Sequence, residues 1–380
     1  MIATDDPDLP GLSRLCPKAL RRITGAKTVS LARLRYRPGR RAILHVETGA
    51  GGQGALWFFE GGKGRRLAKR NGAAVYDTET GALYEPFPND HRMPQIREFL
   101  DRFDTIAPPL LGGAPDGMPE VLRYRPGLSC TFRCGVAQGG PVYVKLISGE
   151  KPERLAAMNR RISEGLRGGP VFVARAVGTD AGLSAIAYAG ARGRPLDATL
   201  AQSEGIEPLR QGIDAISRFS ELKITPERRM TGANLTARAA ESVAMVAATV
   251  PEALPVAERV FARVDGHVPS LECCPIHGDV KLEHLFLDGG ETTLIDIESV
   301  SLGPPDHDLA QLYGRIWMAE LEGLLPEPRA ARAAEEVRRA AGPGFEWSRD
   351  VVALRLAKYF AQRPAPEAPR RIAAILERMG

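Results

Sequence analysis

Residues 275–314, PIHGDVKLEHLFLDGGETTLIDIESVSLGPPDHDLAQLYG, determine the architecture that the sequence predicts. Two short apolar, β-prone runs lie on either side of Asp288-Gly-Gly in the middle of this segment. The pattern predicts a β-hairpin, and a hairpin brings the outer ends of its two strands together. We therefore expect His284 and Asp296 to lie side by side at the open end, with Asp279 held beside them by the preceding loop.

The spacing of the polar residues in this segment is typical of phosphoryl transfer. His277-Gly-Asp279 is followed by His284 five residues after the aspartate, and Asp296 comes twelve residues later. The kinase catalytic loop H-R-D-x-x-x-x-N places a base and a metal ligand at the same separation, and a metal-binding aspartate follows. Phosphoryl transfer depends on positioning and on neutralising phosphate charge, so one base and two metal-binding groups in a small volume would suit it.

These motifs together resemble the signature of the aminoglycoside phosphotransferase and choline kinase-like family. The matching features are H-G-D-x4-H, the hairpin, Ile-Asp296-Ile-Glu298 and the later segment GPPDHDLA, residues 303–310. The resemblance implies an α+β, two-lobed protein-kinase-like fold with a β-rich small lobe and a mainly helical large lobe. It also implies ATP and Mg²⁺ as cofactors and a hydroxyl group of a small molecule as the phosphate acceptor.

The resemblance assigns roles to the polar residues of the signature. Asp279 is predicted to accept the proton of the attacking hydroxyl, and Lys281 to steady the transferred phosphate. Asp296 is predicted to be the main Mg²⁺ ligand. His284 stands where the family usually has asparagine, and Mg²⁺ prefers oxygen ligands, so His284 is either a metal ligand or a histidine that holds the catalytic loop.

Three further residues of the signature are expected to support the site. His277 and Asp308 are predicted to brace the catalytic loop without touching the substrate. Glu298 either supports the metal or faces the acceptor, because its position two residues after Asp296 fits both roles.

The strand-like run Val142-Tyr-Val-Lys145 fits the V-A-I-K pattern, in which a lysine reaches the nucleotide phosphates. A helix is predicted after Pro152, and Glu153 on its first turn is our candidate for the ion-pair partner of Lys145. Glu150 and Glu164 compete with Glu153 for this role.

The adenine ring is expected between the lobes. Residues 171–177 and 183–188 are predicted to form paired strands that lead into a glycine-rich link. The resemblance places the adenine against backbone groups in this passage, which includes Ile186, Tyr188 and Ala189. No G-x-G-x-x-G motif is found near Gly127, so the turn at residues 125–129 is expected to cover the phosphates.

The N-terminal third contains a repeat. Leu-Arg-Tyr-Arg-Pro-Gly at residues 34–39 recurs 88 residues later, and each copy precedes two strand-like runs. Pro-Gly favours a type II turn. We expect residues 1–118 to form a β-rich segment that partly duplicates the small lobe, followed by the small lobe at 119–190 and the large helical catalytic and acceptor lobe at 191–380.

Apolar residues at helical spacing predict that the large lobe is mainly helical. Three stripes lie between residues 206 and 264, and four more helices are predicted at 309–321, 329–341, 351–362 and 370–379. The resemblance implies that the C-terminal helices shape the acceptor pocket. Residues 301–380 have nearly balanced charge, so they offer no strongly acidic surface for a polycationic acceptor.

The composition predicts a soluble, cytoplasmic protein. The chain has 380 residues, of which 44% are hydrophobic and 26% charged, with a formal net charge of +5. This dispersed excess of cations does not favour a nucleic-acid partner. Five cysteines, an odd number, favour reduced thiols, and the sequence has neither a signal peptide pattern nor an apolar run long enough for a membrane helix. Oligomeric state is not indicated.

Two other functions are compatible with the sequence. Three histidines between residues 277 and 307, with Cys273 and Cys274 just upstream, suggest a transition-metal hydrolase, although no zinc-binding spacing is present. A nucleotide-binding protein without catalysis is the other alternative, because His284 replaces asparagine and a glycine-rich loop is missing.

Overall fold

The computed structural model describes residues 6–266, 268–269, 272–363 and 365–379, without the side chain of Ala50. Two β-rich units come first, and a mainly helical unit follows. The strands are β1 (Val29–Arg37), β2 (Arg41–Thr48), β3 (Gly52–Phe59), β4 (Val75–Tyr76), β5 (Leu83–Pro86), β6 (Pro115–Arg125), β7 (Ser129–Val136), β8 (Val142–Ile147), β9 (Val171–Val173), β10 (Ala176–Asp180), β11 (Ala185–Ala189), β12 (Arg194–Pro195), β13 (Cys274–Ile276), β14 (Leu285–Asp288), β15 (Glu291–Leu294) and β16 (Ser301–Gly303).

The helices are concentrated in the second half of the chain. Within the described residues, no helix is both long enough and apolar enough to span a bilayer. The helices are α1 (Pro17–Thr24), α2 (Lys63–Ala68), α3 (Gln95–Asp101), α4 (Phe103–Leu111), α5 (Pro152–Gly165), α6 (Leu196–Gln202), α7 (Glu207–Ser220), α8 (Gly232–Thr249), α9 (Leu254–Gly266), α10 (His307–Leu321), α11 (Glu327–Ala340), α12 (Phe345–Ala361) and α13 (Ala368–Met379).

The two β-rich units have the same strand connections. The first sheet has the order β1-β2-β3-β5-β4, and the second has the order β6-β7-β8-β11-β10. In each sheet three antiparallel strands form a meander, a helix follows, and the last strand in the chain returns beside the third. The helix in this position is α2 in the first unit and α5 in the second.

The turn of the second repeat is held by an aspartate that precedes it in the chain. Asp90 Oδ2 accepts hydrogen bonds from the Tyr124 hydroxyl at 2.8 Å and from the Gly127 N–H at 2.6 Å. Gly127 has a φ of +64°, which an L side chain adopts rarely. Glycine therefore allows the predicted Pro-Gly turn, and Asp90 fixes the turn in place.

The turn of the first repeat is held in the same way. Asp6 Oδ2 accepts from the Tyr36 hydroxyl at 2.6 Å and from the Gly39 N–H at 3.0 Å, and Gly39 has a φ of +67°. The two copies of the six-residue motif thus share their backbone shape and their anchoring acceptor, as well as their sequence.

The helical unit contains the predicted hairpin and helices. β14 and β15 pair with Asp288 opposite Glu291, so Gly289 and Gly290 form a two-residue turn, which confirms the hairpin. The three apolar stripes lie on α7, α8 and α9, and the four C-terminal helices are confirmed as α10 to α13. Their apolar faces form one continuous core.

One strand prediction was wrong. Residues 171–177 do not form a single strand paired with residues 183–188. The run divides into β9, which pairs in parallel with β15 of the large lobe, and β10, which pairs with β11. Periodicity within the run gives no information about which partner each half will find, because both partners lie far away or across a turn.

Replacing Asp90 with alanine should lower the free energy of unfolding by about 2–3 kcal/mol, because the Gly127 N–H and the Tyr124 hydroxyl lose a buried acceptor. Urea unfolding measures this change. Tyr124→Phe removes only one of the two hydrogen bonds and should cost about 1 kcal/mol. An Asp90→Ala protein as stable as the wild type would contradict the anchoring role.

Candidate active site

The loop that contains Asp279 is held from behind by α10. The Asp308 carboxylate accepts hydrogen bonds from the backbone N–H groups of His277 at 2.6 Å and Gly278 at 2.9 Å, and Gln311 donates to the Gly278 carbonyl at 3.1 Å. Gly278 has a φ of +79°, and a Cβ there would lie 2.6 Å from the Ser299 carbonyl oxygen. Only glycine fits this position without a shift of the backbone.

His277 joins this loop to the hairpin. Its Nε2 lies 2.8 Å from the carbonyl oxygen of Ile295, so Nε2 carries the proton that it donates, and Nδ1 accepts from the Asp279 N–H at 3.4 Å. The ring is almost completely buried. His277 and Asp308 therefore fix the backbone on either side of Asp279.

Asp279 lies among cations. Its carboxylate contacts the guanidinium of Arg355, and Oδ2 lies 3.2 Å from the Lys281 ammonium. Burial alone would raise the pKa of Asp279, but Arg355 and Lys281 outweigh this effect and hold the pKa well below its usual range. Asp279 is consequently ionised at neutral pH.

Lys145 joins the two lobes by pairing with carboxylates of the large lobe. Its ammonium contacts Asp296 Oδ1 and lies 2.9 and 3.0 Å from the two oxygens of Glu298. Burial alone would lower the pKa of Lys145, but Glu298 and Asp296 raise it above its ordinary value. A single cation therefore holds both carboxylates at the opening between the lobes.

The predicted pairing of Lys145 with Glu153 was wrong. Glu153 is exposed on the first turn of α5 and forms no salt bridge within the described part of the chain. The competing residue Glu150 pairs with Arg228 instead, and Glu164 is exposed. The two carboxylates that follow the hairpin are nearer to Lys145 than any carboxylate on α5, so they form its ion pairs.

Asp296 has an unusual backbone conformation that aims its side chain. Its φ of +63° lies in the left-handed region, which is costly for a residue other than glycine. Oδ1 contacts Lys145, and Oδ2 lies 3.3 Å from His284 Nε2. Burial would raise the pKa of Asp296, but the ammonium of Lys145 outweighs burial and holds the pKa well below the usual range. The predicted approach of His284 to Asp296 is thus present.

Both ring nitrogens of His284 have hydrogen-bond partners. Nδ1 lies 2.9 Å from the carbonyl oxygen of Asp279, which can only accept, so Nδ1 carries the proton. Nε2 then accepts from the Lys281 ammonium at 3.2 Å. Burial, followed by the charge of Lys281, lowers the pKa of His284 to about 3. This arrangement matches a histidine that holds the catalytic loop, and Nε2 would have to lose Lys281 to bind a metal.

A cavity of about 450 Å³ lies between the lobes beside Lys145. Tyr188 and Ala189 line it, as does the turn through Arg125 and Ser129 that was predicted to cover the phosphates. Ile186 does not line it, contrary to the prediction. The Ile186 side chain is completely buried against Ala174 and residues of α5, although its backbone pairs with Lys145.

A second cavity, of about 560 Å³, opens on the other side of Asp279 and is lined by α8, α10 and α12. Asp279 and Asp296 line both cavities. A reactive group in the first cavity and an acceptor in the second would therefore meet at these two carboxylates. This volume lies within the range that small-molecule ligands occupy.

The structure does not support a transition-metal site at the signature. Both ring nitrogens of His277 and of His284 already have hydrogen-bond partners. Within the described residues, the group whose potential ligand atoms lie within 4.8 Å of one another is Glu85, Asp90 and His91, in the N-terminal unit. Its carboxylates already accept from neighbouring groups, including the Gly127 turn.

Sequence reasoning missed Arg355, which contacts Asp279 from α12. Arg355 is 76 positions from Asp279 in the chain, and no motif surrounds it. The available signal was local: an arginine between Leu354 and Leu356 interrupts the apolar run of a helix that is otherwise mostly buried. A charge in such a position needs a partner, but the sequence does not reveal which one.

Residues 120–351 match the sequence model of the phosphotransferase enzyme family, which is more than half of the chain. A search of curated proteins found no match. Among solved structures, the fold is similar to a thermostable mutant of aminoglycoside phosphotransferase APH(4)-Ia, with a TM-score of 0.52 and 14% identity, covering 72% of this chain and 98% of that one.

Two other solved structures show the same fold. A choline/ethanolamine kinase family protein from Mesorhizobium loti has a TM-score of 0.51 and 16% identity, covering 75% of this chain and 93% of that one. The D198A variant of APH(4)-Ia, in a ternary complex with ADP and hygromycin B, has a TM-score of 0.51 and 14% identity, covering 73% and 98%. The predicted protein-kinase-like fold is confirmed.

Stability should fall as the pH is lowered from 6.5 because the folded protein keeps His284 neutral. Its folded pKa is about 3 and its ordinary value is 6.5, so between these values only the unfolded chain takes up the proton. The loss between pH 7.5 and 5.5 should be about 1 kcal/mol from this residue. Urea unfolding at both pH values measures it.

His284→Asn should reduce this loss without abolishing it. The pKa of His307, which is buried in α10, is also lowered to about 3, first by burial and then by the charge of Arg355. His307 therefore keeps its share of the pH dependence in the variant. An equal loss of stability in wild type and His284→Asn would contradict a buried, neutral His284.

Proposed function

Because the chain belongs to the phosphotransferase enzyme family, we propose that it transfers the γ-phosphate of ATP to a hydroxyl group of a small molecule, with Mg²⁺ as cofactor. The observation that carries this proposal is the position of Asp279 and Asp296 where the two cavities meet. Lys145 lies at the wall of one cavity and Lys281 at the wall of the other, beside Asp279. The complex of a similar fold with ADP and hygromycin B gives support, since it holds a nucleotide and a small molecule together.

In the proposed reaction the acceptor hydroxyl lies in the second cavity, next to Asp279. Its oxygen forms a bond to the γ-phosphorus of ATP, and the bond from that phosphorus to the β–γ bridging oxygen breaks. ADP leaves with the bonding electrons, and the hydroxyl proton passes to the Asp279 carboxylate. Lys281, 3.2 Å from Asp279, offsets the negative charge that spreads over the transferred group.

The residues around Asp296 fit a magnesium ion. Carboxylate oxygens are the protein ligands that Mg²⁺ prefers, and Asp296 and Glu298 present theirs to one side of the first cavity. We propose that these two carboxylates hold the ion and that His284 positions Asp279 through the hydrogen bond from Nδ1 to the Asp279 carbonyl. When bound, the ion would neutralise charge on the nucleotide phosphates.

We also propose that residues 1–118 are a duplicate of the small lobe at 119–190 that has lost its nucleotide chemistry. The shared strand order and the two aspartate-held turns support this. At the 88-residue offset, Trp57 takes the position of Lys145, and it is completely buried. A Cβ on Gly127 would lie 2.7 Å from the Trp57 ring. The small lobe therefore packs against the N-terminal unit where a nucleotide would otherwise bind that unit.

The duplicate should bind no nucleotide of its own. Calorimetric titration with the non-hydrolysable analogue AMP-PNP and Mg²⁺ should give one site per chain, because a buried tryptophan cannot pair with phosphate. Lys145→Ala should remove that site. Two sites per chain, or a site that survives in Lys145→Ala, would contradict the assignment.

Asp279→Asn should lower the rate of phosphate transfer by about 10²–10⁴-fold, because the amide cannot accept the hydroxyl proton. The measurement is ADP release with a screened hydroxyl acceptor, alongside AMP-PNP binding, which should be retained. Asp288→Asn, at the exposed hairpin turn, is the matched control and should act like the wild type.

Wild-type turnover in Asp279→Asn would contradict the role of this residue as the base. Nucleotide binding by the wild type, without phosphate transfer or ATP hydrolysis over a broad acceptor panel, would instead favour a non-catalytic nucleotide-binding protein.

A further inference from the structure

The second cavity is strongly basic. In addition to Lys281, it is lined by six cationic side chains that do not line the first cavity, and by only two carboxylates, Glu241 and Glu283, that are specific to it. The six cations are Arg33, Arg238, Arg315, Arg355, Lys358 and Arg363. The first cavity, which would hold the nucleotide, lies on the other side of Asp279. These cations are therefore additional to those that the nucleotide phosphates would contact.

Several of these arginines lack a carboxylate of their own. Within the described residues, no salt bridge includes Arg33, Arg315 or Arg363, and the Arg33 Nε is buried without a hydrogen-bond partner. Their mutual repulsion is visible in the pKa values. Burial and the neighbouring Arg363 lower the pKa of Arg33 to about 10, and burial and Arg355 lower the pKa of Arg315.

Such crowding is costly unless an anion balances it. A partly buried guanidinium that is short of a counter-charge loses hydration, and contacts with neutral groups replace only part of it. Arg315 and Arg363 both lie over the ring of Tyr359, at 5.8 and 3.3 Å from its centroid, which holds them at the cavity wall. They are therefore positioned before any ligand arrives, with donors free for a phosphate or a carboxylate.

The N-terminal unit completes this basic wall. The Leu34 N–H donates to the Gln362 carbonyl at 2.7 Å, and Arg33 donates to the Gln362 side chain at 3.1 Å. This docking of β1 on the end of α12 brings Arg33 into the cavity. Arg33, Arg355, Lys358 and Arg363 all lie outside the residues that match the family, so much of the basic lining is specific to the rest of this chain.

We propose that the phosphate acceptor is a small hydroxyl compound that carries an anionic group, either a phosphate or a carboxylate, bound by Arg33, Arg315 and Arg363. This inference rests on the proposed phosphotransferase function. The anionic group occupies the basic wall and leaves the hydroxyl of the acceptor facing Asp279. A polycationic acceptor would meet like charges in this cavity, and a neutral one would leave them unbalanced.

Anion binding to the full-length protein saturated with AMP-PNP and Mg²⁺ tests this proposal, because the nucleotide site is then filled. Calorimetric titrations use inorganic phosphate and acetate, which distinguish the two anionic groups, and choline as the cationic probe. We expect at least one anion to bind and choline not to bind. Binding of the anion should weaken as salt is added, since the attraction is electrostatic.

Variants identify the residues that bind the anion. In Arg315→Gln, in Arg363→Gln and in the double variant, anion affinity should fall about tenfold or more, because charge-assisted hydrogen bonds are lost. Arg332→Gln removes an exposed arginine from α11 and is the matched control, with wild-type affinity expected. Retained AMP-PNP binding shows that each variant is folded.

Absence of anion binding, or equal affinity in wild type and all three variants, would overturn the proposal. So would tighter binding of choline than of either anion. Phosphorylation of neutral or cationic hydroxyl compounds alone would overturn the anionic acceptor and leave the phosphotransferase function standing. Failure of the wild type to bind AMP-PNP would contradict the phosphotransferase function itself.

Discussion

The contact of Lys145 with Asp296 and Glu298 is the interaction on which the site depends. Lys145 belongs to the sheet of the small lobe, whereas both carboxylates follow the hairpin of the large lobe. The charges are mostly shielded from water, so their attraction is stronger than that of a surface pair, and separating them would leave charges buried and unpaired. This contact ties the sheet of the small lobe to the carboxylates of the large lobe at the edge of the first cavity.

The N-terminal unit packs against the residues that form the second cavity. Trp57 of the first sheet contacts the Gly127 turn of the small lobe. The edge strand β1 of the same sheet is hydrogen-bonded to Gln362 at the end of α12. The first sheet has Trp57 where the second has Lys145, and it serves as a wall. In the proposed function it closes one side of the acceptor cavity and adds Arg33 to the cations already there.

Much of the fold followed from local patterns in the sequence. The Asp-Gly-Gly turn, the Pro-Gly turns and the apolar stripes depend on neighbouring residues, so the hairpin and the large-lobe helices were predicted correctly. The approach of His284 to Asp296 followed directly from the hairpin. The errors concern contacts between distant segments: Lys145 pairs with Glu298 rather than Glu153, and Ile186 is covered by α5. Local patterns do not determine which of several carboxylates a lysine reaches once the lobes close.

Arg355 and the basic cavity are a second case in which local patterns did not predict how distant segments come together. The charge of residues 301–380 is nearly balanced along the chain, and yet the fold brings Arg315, Arg355 and Arg363 to one wall while most acidic residues of this region face elsewhere. The nearly balanced charge of the sequence therefore did not predict the excess of positive charge in the second cavity. Only the crossing of α10 and α12 beside Asp279 reveals it.

In the proposed function this arrangement transfers a phosphoryl group to an organic hydroxyl. The most direct measurement is to incubate the protein and Mg²⁺ with ATP labelled with ¹⁸O in the γ-phosphate and a mixture of small hydroxyl compounds, and to follow the label by mass spectrometry. We expect the label to appear in an organic phosphate ester. Label found only in inorganic phosphate, or remaining entirely in ATP, would contradict it.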